Sequence, residues 1–229
     1  MCGVKVIGVK TLSNDIKEAI ILAGGNSWRL KPDIFIPKPM LKLNKWTLLE
    51  YQIRWLMSNK FNHIIIASDD EYKIHYSLQD FVDWSVTGKK GTGGDVLVAS
   101  DYLKTDRFYL LNVDDIVWFN PNMLRLPEVE ARILVSKPRI GYGRVEVRKD
   151  LVLGFKEKPY LDFWVSVGHY FFKKHIVDRY FPDYGNLEDS VLSELSRRRK
   201  LHAYKLRGKW VTINTMKDYL LVKEMVGSE

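Results

Sequence analysis

A short apolar run, Ile20-Ile21-Leu22, ends in Ala23, Gly24 and Gly25, and cations follow at Arg29, Lys31 and Lys38. Glycines let backbone amides approach an anion closely and spaced cations neutralise it, so this order of residues suits a polyphosphate. A tight strand-to-helix turn with solvated cations is the plain structural alternative. A second glycine-rich turn, Gly91-Thr92-Gly93-Gly94, opens a helical pattern, where exposed amides and small side chains admit a flat base or a ribose. A flexible turn capped by threonine fits the same residues. Asp114 and Asp115 follow the apolar strand of LLNVDDI. An acid at such a strand exit, facing phosphates, would hold Mg²⁺, and an Asx turn is its ordinary alternative. In GFKEKP, Glu157 offers a carboxylate to sugar hydroxyls and Lys158 an ammonium to a sugar phosphate, or the pair is a charged hairpin edge.

These residues need elements to hold them. Ala19 to Leu22 reads as a core strand, Thr47 to Lys60 as an amphipathic helix and His63 to Ala67 as a buried strand, which makes one βαβ unit. Helices are expected at Tyr72 to Phe81 and Gly93 to Leu103, and a strand at Phe108 to Asn112. In the second half, Arg132 to Ser136, Arg144 to Val147, Leu151 to Phe155 and Val165 to Phe172 read as strands, before helices near Leu187 to Arg198 and Met216 to Met225. The alternation predicts an α/β domain with a parallel or mixed sheet, whose ligands sit beyond the C-terminal strand ends. An extension over residues 1–17 precedes a single domain over 18–229, its first half for one ligand and its second half for another.

The 229 residues, 46% of them apolar, suffice for one substantial core. Cys2 is the single cysteine, so a disulfide framework or cysteine metal cluster within the chain is excluded and a cytoplasmic setting is expected. No apolar run is long enough to cross a membrane. The formal charge of +8 is compatible with nucleic acid, an acidic surface or phosphorylated small molecules. Its one cluster, Arg197 to Lys200, reads better as the cationic end of a helix than as an RNA-binding patch. The five histidines show no metal spacing, and P-loop, nucleophile-elbow and HExxH patterns are absent.

Taken together, LAGGNSWRLKPDIFIPKPM resembles the signature of the sugar-1-phosphate nucleotidyltransferases, the NDP-sugar pyrophosphorylases, and GTGG, LLNVDD, YG at Tyr142-Gly143, FKEKP and VSVGHYFF resemble that family's later motifs. The resemblance implies a Rossmann-like three-layer α/β/α fold with a mixed central sheet, and transfer of a nucleotidyl group from an NTP to a sugar 1-phosphate, of the hexose or heptose 1-phosphate type. It implies nucleotide binding by Leu22, Ala23, Gly24, Gly25, Gly91, Thr92 and Gly93. Catalysis would fall to Arg29, Lys38 and Asp114, with Mg²⁺ on Asp114, and the sugar phosphate to Tyr142, Gly143, Glu157, Lys158, Ser166 and Gly168. The chain departs from the family at Ser27 and Trp28 in the first loop, at Val113, at Ser166, and at Thr212, which stands where the family has a second metal-binding aspartate. These departures keep a catalytically weak nucleotide-sugar sensor or regulatory subunit as the alternative, with Asp115 or Asn214 as compensating ligands. A homo-oligomer stays open.

Overall fold

A computed structural model of the chain describes residues 16–25 and 35–227. Arg29, Ser27, Trp28 and Lys31 lie outside the described residues. The strands are β1 (Glu18–Leu22), β2 (Lys42–Leu43), β3 (Trp46–Thr47), β4 (His63–Ser68), β5 (Val82–Val86), β6 (Arg107–Asn112) and β7 (Asp115–Val117). They continue as β8 (Ala131–Ser136), β9 (Arg144–Arg148), β10 (Leu151–Lys156), β11 (Val165–Lys173), β12 (Leu201–Lys205) and β13 (Trp210–Thr212). The helices are α1 (Leu48–Ser58), α2 (Gly91–Ala99), α3 (His175–Tyr180), α4 (Ser193–Arg197) and α5 (Met216–Gly227).

Seven strands form the main sheet in the order β12-β8-β11-β6-β1-β4-β5. β5, β4, β1 and β6 run parallel, β8 and β12 run parallel to each other, and β11 is antiparallel to both neighbours. Because side chains alternate across a strand, Ala19, Ile21, Ile64, Ile66, Tyr109 and Leu111 pack with Leu49, Ile53 and Leu56 of α1 on one face. Ile20, Leu22, Ile65, Ala67, Phe108 and Leu110 pack with Val96 and Ala99 of α2 and Ile176 and Val177 of α3 on the other. The sheet is thus buried on both sides, as the continuous apolar runs of its parallel strands require. This is the expected α/β/α arrangement with a mixed sheet.

α1 begins where the sequence places it. Thr47 caps it, its side chain accepting from the Glu50 amide while Glu50 accepts from the Thr47 amide. Residues 72–81 depart from expectation: Tyr76–Phe81 is a 3-10 turn, and Val82–Val86 is a strand pairing in parallel with β4. The period of the apolar residues favours helix there, but the chain gains a ladder of hydrogen bonds at the open edge of the sheet instead. Helix α2 starts two residues before the expected Gly93 and gives way to a 3-10 turn at Ser100–Tyr102. Among the described residues, the strands Arg144–Arg148 and Leu151–Lys156 pair only with each other, as a hairpin whose side chains are mostly exposed.

The cationic cluster is explained locally. Arg197 and Arg198 pair with Glu194 on α4, and Lys200 reaches Glu130. Among the described residues no helix is long and apolar enough to cross a membrane.

Candidate active site

The parallel strands β1, β4 and β6 are neighbours, so the segments leaving their C-terminal ends converge on one edge. Leu22 is in register with Ala67 of β4 and with Asn112 of β6. Beyond them the Ala23 amide donates to Ala67 O at 2.8 Å and the Val113 amide to Leu22 O at 3.0 Å. The glycine turn and the acid turn are therefore fixed side by side by backbone bonds. Gly25 has φ +105, a conformation that a side chain resists.

At this edge Lys38, in a 3-10 turn over Lys38–Met40, donates to Asp114 Oδ2 at 2.5 Å. Both side chains are partly accessible. An ammonium and a carboxylate in contact beside a glycine turn form a site where phosphate charge and a divalent cation can both be met.

Asp115, next in sequence, does different work. It is buried, its Oδ1 accepts from Trp210 Nε1 at 3.0 Å, and its Oδ2 accepts from Asn112 Nδ2 at 3.1 Å. Burial, reinforced by the charge of Asp114, pushes its carboxyl up to about 7. Gly168, in the left-handed region at φ +69, lies against it, and a Cβ there would come within 2.0 Å of Asp115 Oδ2. The glycine is thus required by the carboxylate behind it. Thr212 faces Asp115 across the β13–β7 ladder, and Asn214 Nδ2 donates to its hydroxyl at 3.3 Å.

Two residues that carry no local signal in the sequence set the backbone of the acid turn. Gln52 of α1, fully buried, donates from Nε2 to Val113 O at 3.1 Å and to Asp115 O at 2.8 Å. His169 of β11 donates from Nε2 to the same Asp115 carbonyl at 2.9 Å, which leaves Nδ1 to accept from Tyr109 OH at 2.8 Å. Burial pushes the imidazole down to about 4, so it stays neutral and holds that one tautomer.

A cavity of about 300 Å³ lies between the two glycine-bearing turns, lined in part by Leu22, Gly24, Gly25, Gly91 and Thr92. Those five nucleotide-site candidates come together there. Ala23 is buried at the end of β1. Gly93 is placed elsewhere: its amide donates to Gly185 O at 2.9 Å, and a Cβ would meet Pro182 and Gly185 at 3.0 Å. Gly93 and Gly94 are small because the backbone of residues 183–185 passes over the start of α2. Thr92 ties that segment down, accepting from the Leu187 amide at 2.8 Å and donating to Glu188 at 3.1 Å.

The sugar-site candidates fall into two groups. Gly143 and Glu157 meet at the base of the β9–β10 hairpin, where a Cβ on Gly143 would be 3.3 Å from Glu157 Oε2 and would run into the Phe155 ring. Tyr142 is exposed, and Lys158 pairs with Glu157 at 3.5 Å. Ser166 and Gly168 belong to β11, where Ser166 Oγ bonds Tyr170 OH at 3.1 Å. A second cavity, of about 570 Å³, adjoins Thr212 and Trp210 and adds Lys137, Arg139 and Tyr160 to its walls.

Residues 18–229 match the family described as Nucleotidyl transferase. A mannose-1-phosphate guanyltransferase of Schizosaccharomyces pombe is 26% identical over 232 residues, covering 89% of this chain and 62% of the relative. The chain therefore spans less than two thirds of that relative's length. A D-glycero-alpha-D-manno-heptose 1-phosphate guanylyltransferase of Campylobacter jejuni is 28% identical over 220 residues, covering 88% of this chain and 96% of the relative. Among solved structures, HddC from Yersinia pseudotuberculosis superposes with a TM-score of 0.70 at 22% identity, covering 92% of this chain and 99% of that one. A putative glucose-1-phosphate thymidylyltransferase from Bacillus anthracis superposes at 0.71 with 17% identity, covering 91% of this chain and 94% of that one.

Proposed function

Because the chain belongs to the nucleotidyl transferase family, we propose that it joins a nucleoside triphosphate to a sugar 1-phosphate, forming an NDP-sugar and releasing pyrophosphate. The observation that carries this reading is the Lys38–Asp114 contact at 2.5 Å beside the glycine turn that closes one wall of the cavity. The sugar phosphate oxygen attacks the α-phosphorus in line, the bond to the bridging oxygen breaks, and pyrophosphate leaves with its electron pair, so no covalent enzyme intermediate is required. The amides near Gly24 and Gly25 take the phosphates, while Lys38 turns from Asp114 toward the phosphoryl group and Arg29 adds a second cation.

The residues suit Mg²⁺: Asp114 is an accessible carboxylate, and Mg²⁺ needs only one or two such ligands when substrate phosphates complete its shell. When bound there it would neutralise charge on the α-phosphate and the leaving pyrophosphate. Asp115, held inward by Trp210 and Asn112, supports the turn that carries Asp114. On the sugar side, Glu157 accepts from hydroxyls and Lys158 pairs with the phosphate, with Tyr142, Gly143, Ser166 and Gly168 around them. The activity of the relatives makes GTP the first nucleotide to test, and mannose or heptose 1-phosphate the first acceptor. A cytoplasmic setting belongs to the same proposal.

The test is pyrophosphate release from the purified protein across a grid of the common NTPs and sugar 1-phosphates with Mg²⁺. Release is expected for one pairing above the others, with GTP as the donor. A grid with no acceptor-dependent release would overturn the assignment.

A further inference from the structure

The cavity between the glycine turns carries two carboxylates that no phosphate would attract. Asp95, one turn into α2, is 8% exposed. Its Oδ1 accepts a long bond, 3.3 Å, from the Lys90 amide. Its Oδ2 is turned toward Gly24, 3.9 Å from the point where a Cβ on that glycine would stand, and Asp69 Oδ1 from the end of β4 is 3.8 Å from the same point. Both aspartates line the cavity, and so does Lys89. Two carboxylates from different elements thus converge over Gly24, one of them buried. Burial, followed at a distance by the charge of Asp69, holds the Asp95 carboxyl above the usual aspartate range. A buried carboxylate with a second carboxylate beside it, met here by a long bond from the Lys90 amide, is costly unless further donors meet it.

A triphosphate cannot meet it, because phosphate oxygens also accept. The base can. Among the common bases guanine alone sets two donors side by side, N1–H and the N2 amine, next to an acceptor at O6. Adenine and cytosine place a ring acceptor beside their single amine, and uracil and thymine flank one N–H with two carbonyls.

Resting on the assignment of the nucleotide to this edge, we infer that Asp95, seconded by Asp69, reads guanine by accepting from N1–H and the N2 amine, with the Lys89 ammonium on O6. Specificity is then built into helix α2 and the end of β4, away from the reacting phosphorus. A base without the donors would leave the carboxylates unpaired, and that penalty, more than the lost attraction, rejects it.

Equilibrium titration of the intact protein with GTP, ITP, XTP, ATP and UTP in Mg²⁺ tests this without turnover. GTP should bind tightest, ITP weaker through loss of the amine, and ATP and UTP about 10- to 100-fold weaker, the range expected for losing a hydrogen bond to a charged group. Asp95→Asn should lose GTP affinity by a similar factor and gain on XTP, because the carboxamide N–H can donate to the C2 carbonyl of xanthine. Asp69→Asn should weaken GTP less, and if Asp95→Asn does not fold, its ratio of GTP to XTP, with the wild-type series, carries the test. Equal affinity for GTP and ATP, or a ratio unchanged in both variants, overturns the inference while pyrophosphate release with another NTP leaves the proposed activity standing. A change in Mg²⁺ requirement with base preference intact also overturns it, because the carboxylates would then serve a metal. Failure of every nucleotide to bind overturns both.

Discussion

Lys38 and Asp114 pair with one another before any substrate is present, which lowers the cost of holding the two groups proposed to meet phosphate and metal in a partly closed site. An accessible pair of this kind adds little to stability. Lys38→Ala should therefore lower kcat by about 100-fold or more with a melting temperature close to wild type, checked by initial rates of pyrophosphate release and thermal denaturation. A near-normal kcat would mean the ammonium never turns to the phosphate. Gly168→Ala should be severe for another reason. Its new methyl would overlap Asp115 Oδ2 at 2.0 Å on a backbone at φ +69, and soluble yield and melting temperature should both fall. Thr212 is the counterpart case, where a residue could be added. An aspartate there would stand across the ladder from Asp115, beside the turn carrying Asp114. Thr212→Asp should lower the Mg²⁺ concentration giving half-maximal pyrophosphate release, whereas an unchanged or higher requirement would show that the site is built around other ligands.

At the level of elements, the acid turn is aimed by groups on α1 and β11. Gln52 and His169 both spend buried donors on the Asp115 carbonyl, so that turn cannot rotate without orphaning polar groups. Gln52→Leu leaves the Val113 carbonyl without that donor. It should destabilise the protein by about 1–3 kcal/mol and lower kcat more than it raises KM. The opposite end of the sheet has its own clasp. Buried Glu18 accepts from the Lys104 amide at 3.0 Å, from the Thr105 amide at 2.6 Å and from the Thr105 hydroxyl, and bonds His63 Nδ1 at 2.5 Å. Burial works against its charge, but the bonds from Thr105, His63 and the two amides outweigh it and hold the carboxyl below the usual glutamate range. A depressed carboxyl pKa means stability that is present above about pH 4.3 and lost as pH falls through the lower folded value. Glu18→Gln should lower the melting temperature at pH 7 by about 4–10 °C and flatten its decline toward acid pH. A parallel decline in both proteins would remove Glu18 from that role.

For the molecule as a whole, the cavity proposed to take the nucleotide is walled by segments as far apart in the chain as Leu22 and Asn186, and only the folded chain brings them together. Ligand binding must then stabilise the entire domain. GTP at about 100 times its dissociation constant should contribute about 2.7 kcal/mol, a rise of roughly 5–10 °C in the melting temperature, with little change for a base that is rejected. How much of this was legible beforehand follows the range of the interactions. The sequence by itself determined the strands Ala19 to Leu22 and Phe108 to Asn112, the amphipathic helix within Thr47 to Lys60, and the glycine and acid turns that follow the strands, because periodicity and turn chemistry act over a few residues. Through the family resemblance it also singled out Asp114, and not Asp115, as the acid expected to hold the metal. Tertiary structure alone decided that Asp115 is a buried support, that Gly93 yields to the segment over α2, that residues 82–86 complete a sheet edge, and that Asp69 and Asp95 converge. Each of those depends on which distant element supplies a donor, a wall or a ladder, and burial and pairing between elements far apart in the chain leave no local pattern to read.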